Sequence, residues 1–450
     1  MQMSSGDTAW VLASTALVLL MAPGLALFYG GMTQAKSTLN MMMMSFAAMG
    51  VVSVVWVLYG FSLAFGNSGS SIIGEINLDG LTSAMGHLTN NGGVLGVPLL
   101  AFAGFQLMFA IVTTAVVSGA VADRAKFLTW GIFVGLWATL VYFPVAHWVF
   151  DFGDKAADGT VTGAGWLAAL GVEDFAGGTV VEINAGAAGL ALAIVLGRRI
   201  GFKKHPSRPH NLPFVLLGAG LLWFGWLGFN AGSAFGATET AALALMNTQV
   251  AAAAGMGGWL LVEKLRDGHA TSLGAASGAV AGLVAITPAC AYIAPWASVI
   301  LGILAGLACS LAVGLKYKFN YDDSLDVVGV HLVGGLVGTL FIGLLGSALA
   351  NASGADGLLN GGGWRLLGVQ ALASFAVLAY SFVVTFGLAL LLEKTIGFRV
   401  SRDEELEGID LTEHAEKAYD FEGNSGGGFG GGSSAVRVKT VRNRNQEGSP

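Results

Sequence analysis

Two stretches of the chain, DFAGGTVVEINAGAAG at residues 174–189 and DSLDVVGVHLVGGLVG at 323–338, align without a gap and decide the architecture. Asp174 precedes Glu182 by eight residues and Asp323 precedes His331 by eight. Each ionisable residue is then followed by glycine four and seven positions on, Gly186 and Gly189 in one copy and Gly335 and Gly338 in the other. Each stretch opens an apolar run, and an aspartate at such a start can cap the helix that follows. Eight residues at about 1.5 Å rise place Glu182 and His331 about 12 Å deeper along their helices.

Outward from these two starts, apolar runs of about 20 residues, the length that crosses a hydrocarbon core, recur through most of the chain. Marked by their polar or Gly/Pro-rich borders, they predict about eleven spans near 8–31, 41–66, 97–121, 127–149, 176–197, 213–235, 239–262, 272–291, 296–315, 327–350 and 366–393. The fold class expected is all-α, a polytopic membrane protein. The two copies open spans five and ten, and an odd offset inverts the second half relative to the first. Halves at 8–197 and 213–350 would thus form a 5+5 inverted repeat with an eleventh helix at 366–393, the arrangement in which transport sites lie near the midplane. With a half-thickness of about 15 Å, Glu182 and His331 converge there from opposite sides.

Composition agrees. Lys, Arg, Asp and Glu make up 11% of 450 residues, where a soluble domain carries about 25%, so an ordinary water-soluble protein is excluded. Glycine stands at 68 positions, about twice the usual share, and small residues let transmembrane helices approach closely. The run at Met1–Trp10 lacks a basic n-region, so the first apolar run reads as a retained helix. Loops after odd spans hold twelve Lys and Arg, from Lys36 to Lys318, and loops after even spans hold only Lys155 and Arg365. The positive-inside rule then puts the N-terminus outside and the C-terminus in the cytoplasm, in the inner membrane. Residues 1–393 form the transmembrane domain. An acidic region follows at 394–422, able to dock on the cytoplasmic face or a partner, and then a Gly/Ser and basic tail at 423–450 expected to be disordered.

Candidate chemistry is sparse. Cys290 and Cys309 lie in apolar runs and supply neither a disulfide framework nor a metal motif. His87, His147, His205, His210, His269 and His414 fall in or near loops without ligand spacing. The run Met41–Met44 cannot line one site, because consecutive helical residues point about 100° apart, so lipid packing is its reading. Neither a cofactor nor a metal is expected, no basic stripe points to nucleic acid, and no nucleophile and base occur at credible spacing for an enzyme. Glu182 is the only Lys, Arg, Asp or Glu deep in a span. An ionised acid there costs at least about 2.5–3.5 kcal/mol, which makes it a functional-site candidate, although a protonated glutamate bonded to a neighbouring helix is the plainer alternative. His331 alone would be a core histidine, and paired with Glu182 it suits a proton relay. Asp174 reads as a cap, as do Asp323 and Asp326 with Asp322 beside them. Phe105, Phe109, Phe150, Trp226 and Phe229, with Ser233, lie near the outer ends of spans three, four and six. Singly such rings are interface anchors, and together they would bind a small cation over their faces.

At these segments the sequence closely resembles the ammonium transporter family (Amt/Mep/Rh), in its bacterial branch. The likeness rests on APGLALFYGGM, GAVADRAKF, DFAGGTVVEIN, GWLGFNAGSA, GLVAITPA, DDSLDVVGVH and EGIDLTEHAEKAYDF. The resemblance implies a homotrimer of eleven-helix subunits in the lipid bilayer, each with its own pore for ammonium, ammonia and methylammonium. It implies an external recruitment site at Phe109, Phe150, Trp226 and Ser233, with Asp174 near it and required for structure and conduction. Phe105 and Phe109 with Phe229 match a stacked phenylalanine gate, and Glu182 and His331 fall on the twin-histidine positions. Two departures stand out, Glu182 for the usual first histidine and Phe150 for a tryptophan. The C-terminal region resembles the one that couples subunits, around which the PII (GlnK) signalling protein docks. An ammonium sensor with little flux and a neutral-gas channel are the competing readings.

Overall fold

A computed structural model describes residues 2–66, 70–89, 96–155, 161–204 and 208–419. The chain divides into two units, Met1–Ala418 and Tyr419–Pro450, and the fold described below belongs to the first. The expected boundary at 422, the tail at 423–450 and His205 lie outside the described residues.

The described residues contain eleven long helices: α1 (Ser5–Met32), α2 (Thr38–Phe65), α3 (Leu99–Val121), α4 (Phe127–Phe150), α5 (Gly178–Leu196), α6 (Leu212–Gly232), α7 (Glu239–Asp267), α8 (Ser272–Ala289), α9 (Pro295–Phe319), α10 (Val328–Leu345) and α11 (Trp364–Thr395). Ten are long and apolar enough to span a membrane. The exception is α7, whose buried polar side chains bond to neighbouring segments: Asn247 Nδ2 donates to the carbonyls of Cys290 and Ile293, and Thr248 Oγ1 accepts from Asn230. It also runs five residues beyond the expected end at 262, so Lys264 and Arg266 lie on its last turn and not in a loop. A short hairpin pairs β1 (Asp154–Lys155) with β2 (Val161–Thr162).

Local chemistry sets the helix ends. Ser4, Asn211 and Thr271 accept backbone N–H bonds at the starts of α1, α6 and α8, each such cap stabilising by about 1 kcal/mol. Inside the bundle glycine permits backbone contact. A Cβ at Gly218 would overlap the backbone of Phe28, and one at Gly306 the carbonyl of Gly255, so α6 meets α1 and α9 meets α7 at distances other residues forbid. Met41 and Met44 are buried and Met43 is exposed, so the methionine run divides between core and surface and is not simply lipid packing. Cys290 and Cys309 are buried packing residues.

The C-terminal segment, with α12 (Arg402–Glu407) and α13 (Ile409–His414), folds back on one end of the bundle. Asp410 accepts from the N–H groups of Leu39 and Asn40 at the start of α2, where Ser37 makes no side-chain cap. Glu413 likewise accepts from Phe127 N–H at the start of α4. Lys36 donates to the carbonyls of Glu405 and Leu406. The acidic stretch thus supplies helix caps that the local sequence lacks.

Candidate functional site

The repeat has a shared local geometry. Asp174 takes the N–H groups of Gly177, Gly178 and Thr179 and the Thr179 hydroxyl, so both its oxygens are committed to the start of α5. Asp323 takes the N–H groups of Val327 and Val328 at the start of α10. Asp326 is not a cap. It sits at φ 65° and pairs with Lys316 Nζ at 2.6 Å, because the turn at Asn320 folds the end of α9 back beside it. Asp322 is held by Arg199, through Nε at 3.0 Å and Nη2 at 2.9 Å, while Nη1 of that arginine reaches Asp123 at 3.0 Å. Arg124, fully buried, donates to Ser324 Oγ and to the carbonyls of Asp322 and Ala120. These two arginines fix the segment that starts α10.

Both helices open with a wider π-helical turn, Gly178–Ile183 and Val328–Leu332, and these turns carry Glu182 and His331. Such turns are rare and concentrate at functional sites. Oε2 of Glu182 and Nδ1 of His331 lie 2.6 Å apart and share one hydrogen bond, with the residues only 1% and 5% exposed. The glycines at +4 make this possible. A Cβ at Gly335 would lie 2.9 Å from the Glu182 Cβ, and one at Gly186 would overlap the backbone of Leu332.

The pair faces a narrow lumen lined also by Met21, Leu25, Phe28, Val112, Val116, Val181, Leu222, Trp226, Phe229 and Val280. It has room for about one water-sized molecule. Among the described residues, Glu182 and His331 are the only ionisable groups in its lining. At one end Phe229 stacks on Phe109, with centroids 4.0 Å apart and planes 15° from parallel. Phe105 does not join the stack. It tilts against Phe109 at 4.9 Å, 55° from parallel, so the expected three-ring gate is a two-ring stack with a third ring supporting it. Phe150 meets Phe109 edge-on at 6.4 Å and Trp226 lies 5.7 Å from Phe229. Ser233 donates to the Phe229 carbonyl at 2.9 Å, which leaves its oxygen free to accept. The five aromatic candidates and Ser233 therefore converge on one end of the lumen.

This arrangement, an aromatic stack over an apolar lumen holding one acid and one imidazole, suits a small polar solute that can shed charge. A family model described as the Ammonium Transporter Family matches residues 9–419. The chain belongs to the ammonium transporter family. It is 55% identical over 440 residues to an ammonium transporter of Mycobacterium tuberculosis, covering 94% of this chain and 91% of that one. With the ammonium transporter of Bacillus subtilis it shares 46% over 421 residues, 93% of this chain and 99% of that one. The crystal structure of Candida albicans Mep2 superposes with a TM-score of 0.82 at 36% identity, covering 94% and 93%. A solved structure described as a sensor Amt protein matches with a TM-score of 0.81 at 28% identity, covering 91% and 98%.

Within this ammonium transporter fold, two residues near the aromatic end were not singled out by sequence. Thr287 accepts the Trp226 indole N–H at 2.7 Å, which fixes the ring and leaves its face as the free feature; a lone threonine in GLVAITPA was the available signal. Phe235 sits at φ 51°, a strained backbone for a bulky residue, and packs on Phe102 and Phe105 at 5.0 and 5.4 Å. Nothing in its sequence context announces it. His147 is not a loop residue. It is fully buried on the last turn of α4, with Nδ1 3.0 Å from the Ala64 carbonyl and 3.2 Å from Asp151, and Nε2 3.0 Å from the Ser70 carbonyl, so it ties down backbone.

Beside the cap, Glu173 accepts the Ala355 N–H at 2.5 Å through Oε1, while Oε2 is buried without a partner. Burial pushes its carboxyl up to about 7 from 4.5. A raised carboxyl contributes stability that is fully present below pH 4.5 and lost as pH rises through 7. Thermal unfolding of the purified protein from pH 4.5 to 8 should therefore lose up to about 3 kcal/mol that Glu173→Gln does not lose. Parallel pH curves for the two proteins would contradict this.

Proposed function

We propose that the protein recruits ammonium at its external face, strips a proton there, passes ammonia through the apolar lumen and returns the proton through the Glu182/His331 pair. The observation that carries this reading is the hydrogen-bonded pair alone in an otherwise apolar lumen closed by the Phe109/Phe229 stack. Moving a bare cation into such a medium costs about 20 kcal/mol in the idealised limit, whereas ammonia crosses as a neutral solute. A carboxylate and an imidazole sharing one bond can hold and hand on the proton left behind. Methylammonium, with one apolar group added, is a second substrate of this reading.

Recruitment rests on Phe109, Phe150, Trp226 and Ser233, rings offering faces and one hydroxyl oxygen offering a lone pair to an N–H donor. Asp174 acts through the helix start it caps. Phe150 in place of tryptophan removes the strongest π face and an indole donor. Phe150→Trp should lower the ammonium concentration giving half-maximal current about fivefold, in line with about 1 kcal/mol for a partly exposed cation–π contact; an unchanged concentration dependence would count against recruitment at this ring.

The N-terminus lies outside and the C-terminus in the cytoplasm of the inner membrane, supported by the clustering of Lys36, Arg124, Arg199 and Arg399 at the end where α12 and α13 dock. Exposed apolar side chains of α9, Trp296, Val299, Ile300, Ile303 and Leu304, supply a face for the homotrimer. The docked C-terminal segment and its neighbouring loops offer a surface for a PII (GlnK) protein.

Likeness to a sensor Amt structure favours a second reading, an ammonium sensor that binds but carries little flux. Ammonium pulses on proteoliposomes separate the two: a transporter gives saturable flux, a sensor gives binding without it, and a neutral-gas channel gives flux that neither saturates nor carries charge.

A further inference from the structure

Where α5 ends, a cavity of about 490 Å³ is lined by Arg198, Lys204, Arg399 and Arg402, with Glu405 as its one acid among the described residues. Arg199 also reaches it but is committed to Asp123 and Asp322. Both carboxylate oxygens of Glu405 are used, one by Ile200 N–H and one by Arg399. Among the described residues Lys204 and Arg402 have no side-chain partner, and Arg198 meets only the neutral Asn320 Oδ1 at 3.0 Å. Three positive charges are therefore uncompensated around one cavity.

Arg198 also lines a second, apolar groove of about 640 Å³ between Leu190, Ala193 and Ile194 of α5 and Leu315 and Phe319 of α9. Ile194 and Phe319 are exposed there. Phe202 stacks on Tyr317 at 5.4 Å and pins the loop that follows Arg198 against α9. A basic cavity and an apolar groove on the outside of two spanning helices thus share one arginine. Soluble phosphate has no use for the groove, whereas a lipid matches both parts.

We propose that Arg198, Lys204 and Arg402 bind the phosphate of an anionic phospholipid whose acyl chain lies in the α5/α9 groove, while Arg399 stays committed to Glu405 and the carbonyls of Leu196 and Arg198. Because Arg402 opens α12 of the C-terminal segment, the lipid would tie that segment to the membrane. This goes beyond the transport reading and does not depend on Glu182.

Native mass spectrometry of the full-length protein tests it, with phosphatidylglycerol, phosphatidylcholine and inorganic phosphate as probes. Phosphatidylglycerol should be retained at least tenfold better than phosphatidylcholine. Arg198→Gln with Arg402→Gln should cut that retention about fivefold per charge removed, Ile194→Glu should cut it through the groove, and Arg402→Lys should keep it. Ammonium flux through the Gln variants serves as the check on folding. Equal retention of both lipids, unchanged retention in the Gln variants, or displacement of phosphatidylglycerol by inorganic phosphate would overturn the proposal, the last by making this a soluble-anion site.

Discussion

Replacing Glu182 with glutamine should reduce ammonium-driven current in proteoliposomes by about 100-fold or more, the scale of a positioned proton-transfer group. Glutamine keeps the shape and can still bond Nδ1 of His331 across the same 2.6 Å, but it cannot release a proton. A loss on this scale therefore separates proton transfer from packing. Glu182→His should retain most of the flux, since an imidazole can also share and pass a proton. The competing mechanism, in which the carboxylate stabilises the cation directly, makes a different forecast. Native current would then rise steeply with voltage, and Glu182→His would change potassium permeability as well as rate. Wild-type, equally selective current in Glu182→Gln would remove both roles.

A second large effect is expected at Gly186, which carries no chemistry of its own. An added methyl would meet the backbone of Leu332, next to His331. Helices α5 and α10 would have to part, at an overpacking cost of about 1–3 kcal/mol, and the Glu182/His331 bond would lengthen with them. Flux through Gly186→Ala should fall about 10- to 100-fold, as for an Å-scale misplacement of reacting groups. Gly220→Ala is the control, because nothing lies within 4 Å of a Cβ there, and its flux should equal that of the native protein. Equal flux in Gly186→Ala would mean that the close approach of the two helices does not matter.

What the sequence revealed, it revealed through cost. A carboxylate in hydrocarbon is expensive, so Glu182 was conspicuous, and the matched spacing of Asp323 and His331 exposed its partner. The same economy of charge made the eleven helices legible, α7 included, although its polar residues keep it below ordinary spanning apolarity. Asp174 and Asp323 were readable as caps because capping is local. Asp326 looks like a third cap in the sequence but is an ion-pair partner in the fold, because Lys316 arrives through the left-handed turn at Asn320, which no spacing encodes. The π-helical turns were invisible for a related reason: one extra residue in a helical turn leaves almost no trace in a 3.6-residue period. Sequence carries ring position but not ring orientation, so it does not distinguish Phe105, which tilts against Phe109, from the stacked Phe109 and Phe229, nor does it reveal Phe235 behind them. His147 lay near a border drawn by composition, and its burial depends on Ala64 and Ser70, far away in the chain.

The most direct test of the central claim, that nitrogen crosses as ammonia while its proton travels by way of Glu182 and His331, is charge and solute counted together. Radiolabelled methylammonium uptake and current should be measured on the same proteoliposomes of native protein. Uptake should saturate and carry about one charge per molecule, with potassium excluded, and both signals should be lost together in Glu182→Gln. Binding without uptake, or uptake that neither saturates nor carries charge, would contradict that claim.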